Sequence, residues 1–150
     1  MQTWLMSGSR SRRRRAAQQE EEVDYVDTLF DAACASPLHA GAELAWEGQG
    51  VILYGVGSPD ASLAALIEKA PADITVVWRE APYTLVELLA EVDRIMDRQP
   101  KLNSGGPRHD GTGVDFTTTD AVLLNAADPR AALGARYPVS IEYAEIAVLE

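Results

Sequence analysis

The stretch AADPRAALGARYPVSIEYAE, residues 126–145, packs several chain signals into twenty residues. Asp128 followed by Pro129 has the form of a helix cap with proline in the first turn, where a missing N–H costs nothing. Leu133 and Tyr137 give the helix an apolar side, and Pro138 ends it. Val139, Ile141 and Tyr143 then alternate with Ser140, Glu142 and Ala144, the period of a half-buried strand. The same series occurs earlier, in GVGSPDASLAALIEKAPADITVVW, residues 55–78. There Ser58 and Pro59 start the helix, Leu63, Leu66 and Ile67 supply its stripe, and Pro71 stops it. Ile74, Val76 and Trp78 alternate with Thr75, Val77 and Arg79.

Working outward, each series is preceded by two β-rich runs. AELAWEGQGVILYGVG, residues 42–57, predicts a hairpin turning at Gly48-Gln49-Gly50, with VILY apolar on both faces and therefore central. GTGVDFTTTDAVLLNA, residues 111–126, repeats the pattern with a turn near Thr118 to Asp120 and AVLL as the second strand. A helix precedes each hairpin. Val23, Val26, Leu29 and Phe30 recur at helical spacing before Pro37, with Cys34 as a buried small residue. Thr84 and Glu87 form a capping box opening a helix over 84–98, whose stripe is Leu85, Leu88, Leu89, Val92, Ile95 and Met96. The segment 101–111, rich in glycine and polar residues, is expected to be a loop.

The halves align with Val51 opposite Val122, Ser58-Pro59 opposite Asp128-Pro129 and Ile74 opposite Val139, the pattern of an internal duplication. The expected fold class is α+β: two similar ββαβ units, ferredoxin-like, with antiparallel or mixed sheets covered by helices on one face and joined by the helix 84–98. Taken from residue 73, the order β-α-β-β-α-β is that of a split βαβ sheet. The expected divisions are a disordered basic leader over 1–20, a first unit over 21–80 and a second over 81–150.

Of the formal net charge of -10, the first fifteen residues carry +5 from Arg10 and Arg12 to Arg15, so the remainder carries -15. An acidic body repels phosphate backbones and anionic membranes. Nucleic acid is thus expected only at the arm, through Arg12, Arg13, Arg14 and Arg15. No run approaches the ~18 apolar residues of a membrane span, and no apolar signal stretch opens the chain. The expected location is the cytoplasm, or outside the cell if a leader is missing from this chain.

Catalysis finds little support. One cysteine excludes an internal disulfide and a thiolate cluster. His39 and His109 lie beside turn residues, with His109-Asp110 forming a local solvated pair. GVGSPD lacks the lysine and hydroxyl of a phosphate loop and the third glycine of a dinucleotide fingerprint. No catalytic residue, cofactor or metal is expected. Core packing accounts for most of the strand aromatics Trp46, Tyr54, Trp78, Phe116 and Tyr143; where two or three share an exposed face, their acidic neighbours suit a protein partner better than RNA.

YTLVELLAEVDRIMD, then GTGVDFTTTDAVLL and DPRAALGARYPVSIEY, resembles the pro-domains of streptogrisin-type and α-lytic-type secreted serine proteases of actinobacteria and related actinobacterial domains. The likeness covers about residues 23–145. It implies a folding chaperone or inhibitor that packs a sheet and its tail against a protease, with Tyr143 to Glu150 as the contact surface. The expected partner-binding residues are therefore Trp78, Phe116, Tyr143, Ile146 and Val148, on a non-catalytic protein-binding module. The alternatives are a small-molecule sensor or enzyme with a pocket between the units, and nucleic-acid attachment through the arginine arm.

Overall fold

The computed structural model describes residues 2–45 and 50–145, with the backbone alone for 2–12 and Gln18. Helix α1 (Gln2–Ala35) leads into β1 (His39–Ala45), β2 (Gly50–Gly55), α2 (Ala61–Glu68) and β3 (Thr75–Glu80). Helix α3 (Leu85–Arg98) leads into β4 (Leu102–Pro107), β5 (Val114–Thr118), the short helices α4 (Ala121–Leu124) and α5 (Pro129–Leu133), and β6 (Val139–Tyr143). The described strands form two three-stranded sheets, β1-β2-β3 and β4-β5-β6. In each, the first pair is antiparallel and the second parallel, because a hairpin comes first and a helical crossover second.

The protein is α+β, and its two units fit the ferredoxin-like two-unit arrangement expected. Their second and third strands pair in the same way. Val51 and Leu53 of β2 pair with Val76 and Trp78, as Val114 and Phe116 of β5 pair with Val139 and Ile141. The first core gathers Leu29, Ala33, Val51, Leu53, Leu63 and Ile74 beneath α1 and α2. The second gathers Leu88, Val92, Ile95, Leu102, Val114, Phe116 and Leu123 beneath α3 and α4. Each fully buried Leu, Ile or Phe among them contributes about 1.5–3 kcal/mol. Asp60 accepts a hydrogen bond from Leu63 N at 2.8 Å and Asp120 one from Leu123 N at 3.0 Å, so each crossover opens on the same Asp-x-x-Leu cap.

Several expectations are corrected. Val51 corresponds to Val114, not Val122, because AVLL is the helix α4 rather than a strand. Four apolar residues do not distinguish a strand from one helical turn, and the Asp120 cap decides for the turn. The second hairpin is instead β4 with β5, so the segment expected to be a loop contains a strand. LNSGGP tolerates glycine and proline because β4 is an edge strand. Gly105 is also required there, since a Cβ would lie 2.4 Å from the Phe116 ring. Strand β3 pairs with β2, so the run from residue 73 is not one split sheet.

The cap of α2 is Asp60, not Ser58. Asp128 and Pro129 do open α5. Cys34 is exposed, not buried. Helix α1 runs back through the arginines, where a disordered leader was expected. Arg, Ala, Gln and Glu are all strong helix formers, and that local preference acts without any apolar stripe.

The two sheets differ in what covers their second faces. Beyond β5, Asp115 accepts from Arg108 Nε at 2.7 Å and from Ser140 Oγ at 2.6 Å, and Ser104 bonds Thr117 at 2.6 Å, making an open polar face. On the first sheet Ala40 and Tyr54 are buried with Ala81 against the second unit.

Candidate functional site

The units meet where β1 and β2 touch the turn between β4 and β5. A Cβ at Gly41 would lie 1.8 Å from the His109 carbonyl oxygen, so the two backbones are in direct contact. The Tyr54 ring meets His109 edge-on, with centroids 6.0 Å apart. Glu43 Oε2 accepts from the Tyr54 hydroxyl at 3.2 Å and lies 3.4 Å from His109 Nε2. Burial, then the Glu43 carboxylate, holds the Tyr54 phenol above its ordinary range. Asp110 does not pair with His109 as expected. It accepts from Thr112 N at 3.1 Å and Thr112 Oγ1 at 2.6 Å, and those bonds hold its carboxyl below the usual range. Glu43, Tyr54 and His109 thus form a joint between the units, with the carboxylate shared by a phenol and an imidazole.

A second fixed carboxylate lies in the other unit. Glu91 is buried on α3, accepting from Arg94 Nε at 2.6 Å and from Arg136 N at 2.5 Å, while Arg94 reaches the Gly134 carbonyl at 2.8 Å. Burial raises the Glu91 carboxyl, but the Arg94 hydrogen bond and the Arg136 N–H outweigh it and the net shift is downward. This group ties α3 to the turn before β6.

The open concave surface lies elsewhere. A groove of about 370 Å³ runs between α1 and β1, lined by Val23, Val26, Leu44 and Ile74, with Gln19, Glu22 and Asp27 at its rim. Val23 is 59% and Leu44 60% exposed. Leu44 lies on the same face of β1 as Ala42, toward the core, but β1 is an edge strand and α1 covers only part of it. A second depression adjoins Val23 at Ala16, Gln19, Glu20 and Asp24, and a third lies between Arg14, Ala17, Glu21 and Pro71 to Asp73. All three border the middle of α1.

The residues expected to bind a partner are scattered. Phe116 is 1% exposed in the second core and has no surface to offer. Its alternation with Asp115 and Thr117 already marks it as facing inward. Trp78 packs against the first core and donates Nε1–H to the Gly57 carbonyl at 2.8 Å. Tyr143 is 60% exposed on β6 and donates to Glu145. Ile146 and Val148 lie outside the described residues. Arg13, Arg14 and Arg15 are exposed on α1, where Arg12 also falls on the helix backbone.

Val23 and Leu44 were missed because each fits a core stripe in the sequence. The available signal was order in the hairpin: VILY is central, which makes the preceding run an edge with a half-covered apolar face. Among the described residues no helix is long and apolar enough to cross a membrane. No protein-family model, curated protein or solved structure matches this chain.

Proposed function

We propose that this chain is a non-catalytic module that binds another protein, taking an apolar segment flanked by basic residues into the groove between α1 and β1. The observation that supports it is the pair Val23 and Leu44, both well over half exposed in one open groove floored by Val26 and Ile74. Contiguous apolar surface with a charged rim is characteristic of a docking site. The -15 carried beyond the arginine arm steers a basic partner toward it and speeds encounter. A chaperone or inhibitor role, as in the protease pro-domains the sequence resembles, is one form of the same docking.

The test uses a fluorescein-labelled helical peptide with a leucine stripe and lysine flanks, titrated against the full chain by fluorescence anisotropy. Wild type is expected to bind, and the Val23→Asp, Leu44→Asp double variant to bind at least roughly tenfold more weakly. Circular dichroism checks that the variant remains folded. Equal affinity of the two proteins sinks the proposal.

A further inference from the structure

Helix α1 is divided by charge. Its first half carries Arg10 and Arg12 to Arg15 with no acid among residues 2–19, and its second half carries Glu20, Glu21, Glu22, Asp24, Asp27 and Asp31 with no base through Ala35. A helix with its bases toward one end and its acids toward the other presents complementary charge to a second copy lying head to tail beside it. In that antiparallel pair each basic half lies beside an acidic one.

The surface for such a neighbour is present. Ala16, Gln19, Val23 and Val26 follow one another at spacings of three, four and three along α1, the seam of a helix pair. Ala16, Gln19 and Val23 are exposed, and the contacts of α1 with the first core come from Tyr25 onward. A crossing at Gln18 and Gln19 sets Arg13 opposite Asp24 and Arg10 opposite Asp27. It also brings the partner's small Ala16 and Ala17 opposite Glu21 and Glu20, within one turn of Val23 at the mouth of the groove.

We propose that the partner in the groove is a second copy of this chain, and that the protein is a homodimer held by antiparallel pairing of α1. This rests on the docking proposal above and names its occupant. The dimer crosses at Gln18 and Gln19 and pairs opposite charges on either side, so it responds to salt and to charge reversal.

The experiment is sedimentation equilibrium on the full chain at about 0.05 M and about 1 M salt, between which screening lengths fall severalfold. A dimer is expected, with its dissociation constant raised at least roughly tenfold at high salt. A chain with Arg12, Arg13, Arg14 and Arg15 all changed to Glu, and another with Glu20, Glu21, Asp24 and Asp27 all changed to Lys, are each expected to be monomeric alone. Mixed one to one, they are expected to form a heterodimer, which misfolded variants would not do.

A spin label on Cys34, the single cysteine, reports direction. Antiparallel pairing separates the two labels by about 31 residues of helix, or about 47 Å. Parallel pairing brings them within roughly two helix diameters. A monomer at every salt concentration, a short label distance, or a dimer indifferent to salt and to the charge variants overturns the inference. Groove binding of the labelled peptide by a chain that stays monomeric overturns it while leaving the docking proposal intact.

Discussion

Replacing Gly41 by alanine tests whether the two units are one packed body. The new Cβ would sit 1.8 Å from the His109 carbonyl oxygen and 2.7 Å from its carbon, against an ordinary contact of 3.4 Å or more. Both atoms belong to main chains, so no side chain can swing aside. Strand β1 and the turn after β4 must part by roughly 1.5 Å, an overpacking that costs about 1–3 kcal/mol. Parting them also loosens the edge-on contact of Tyr54 with His109, about 0.5–1.5 kcal/mol more. The expected loss is near ~3 kcal/mol, which lowers Tm by roughly 6–12 °C in a chain of this size. Urea unfolding followed by circular dichroism measures it, with Gly106→Ala as control. A Cβ at Gly106 meets nothing within 4 Å, so that change should stay within about 0.5 kcal/mol. If Gly41→Ala is no worse than Gly106→Ala, the packing of β1 on the turn is wrong. Splitting of one transition into two in Gly41→Ala alone would show that this contact makes unfolding cooperative.

His39 is buried with Nδ1 lacking a partner, and burial lowers its pKa below 6.5. The unfolded chain therefore binds the proton more tightly, so stability falls as pH drops from about 6.5 toward the folded-state value. Tm measured from pH 8 to 5 should show that fall, and His39→Gln should flatten it; an unchanged slope in the variant removes the effect from His39. Glu91 acts in the same direction at lower pH, since a depressed carboxylate loses its stabilisation as pH falls through its folded pKa. Glu91→Ala should cost about 1–2 kcal/mol, through loss of the buried carboxylate's hydrogen bond to the Arg136 N–H in a partly exposed turn, with little added for the partly exposed Arg94. A loss under about 0.5 kcal/mol in denaturant titration would show that the turn finds another acceptor. Asp60→Ala and Asp120→Ala should each cost about 1 kcal/mol as equivalent caps, and a large inequality would argue against equivalent crossovers.

The repeated order of helix, hairpin, proline-bounded helix and strand was legible because its signals are local: Asp128-Pro129, the alternation through Tyr143, the capping box at Thr84. The register between the repeats was not. It turned on AVLL and on LNSGGP, where local preference and tertiary role disagree. AVLL has strand-like composition, but Asp120 accepts from Leu123 N and winds it into a turn. LNSGGP looks like a loop, but the Phe116 ring lying over Gly105 makes the absence of a side chain the condition for pairing. The pairing of Glu43 and Tyr54 with His109 was illegible for another reason. It joins residues 55 or more positions apart, and no periodicity within an element reports a contact between elements.

The position of the groove follows from the one way the units differ most. Helix α3 is 14 residues long and α1 is 34, although both cover the same face of equivalent sheets. A short helix ends with its sheet and buries the middle of its stripe, as Leu88, Val92 and Ile95 do, with Leu85 and Met96 half-buried and Leu89 exposed. A long one outruns its sheet, and the stripe must emerge from the core where the strand below it ends. Val26 is half-buried and Val23, one turn earlier, is open, with Leu44 on the edge strand beside them. The same extension carries the arginines onto the axis of the acids. Exposed apolar seam and divided charge are thus two results of a single feature, the additional helical turns before Tyr25. Removing the residues before Glu22 should therefore abolish self-association in sedimentation equilibrium, while the two cores stay folded and Val23, Val26, Leu44 and Ile74 still take the labelled peptide.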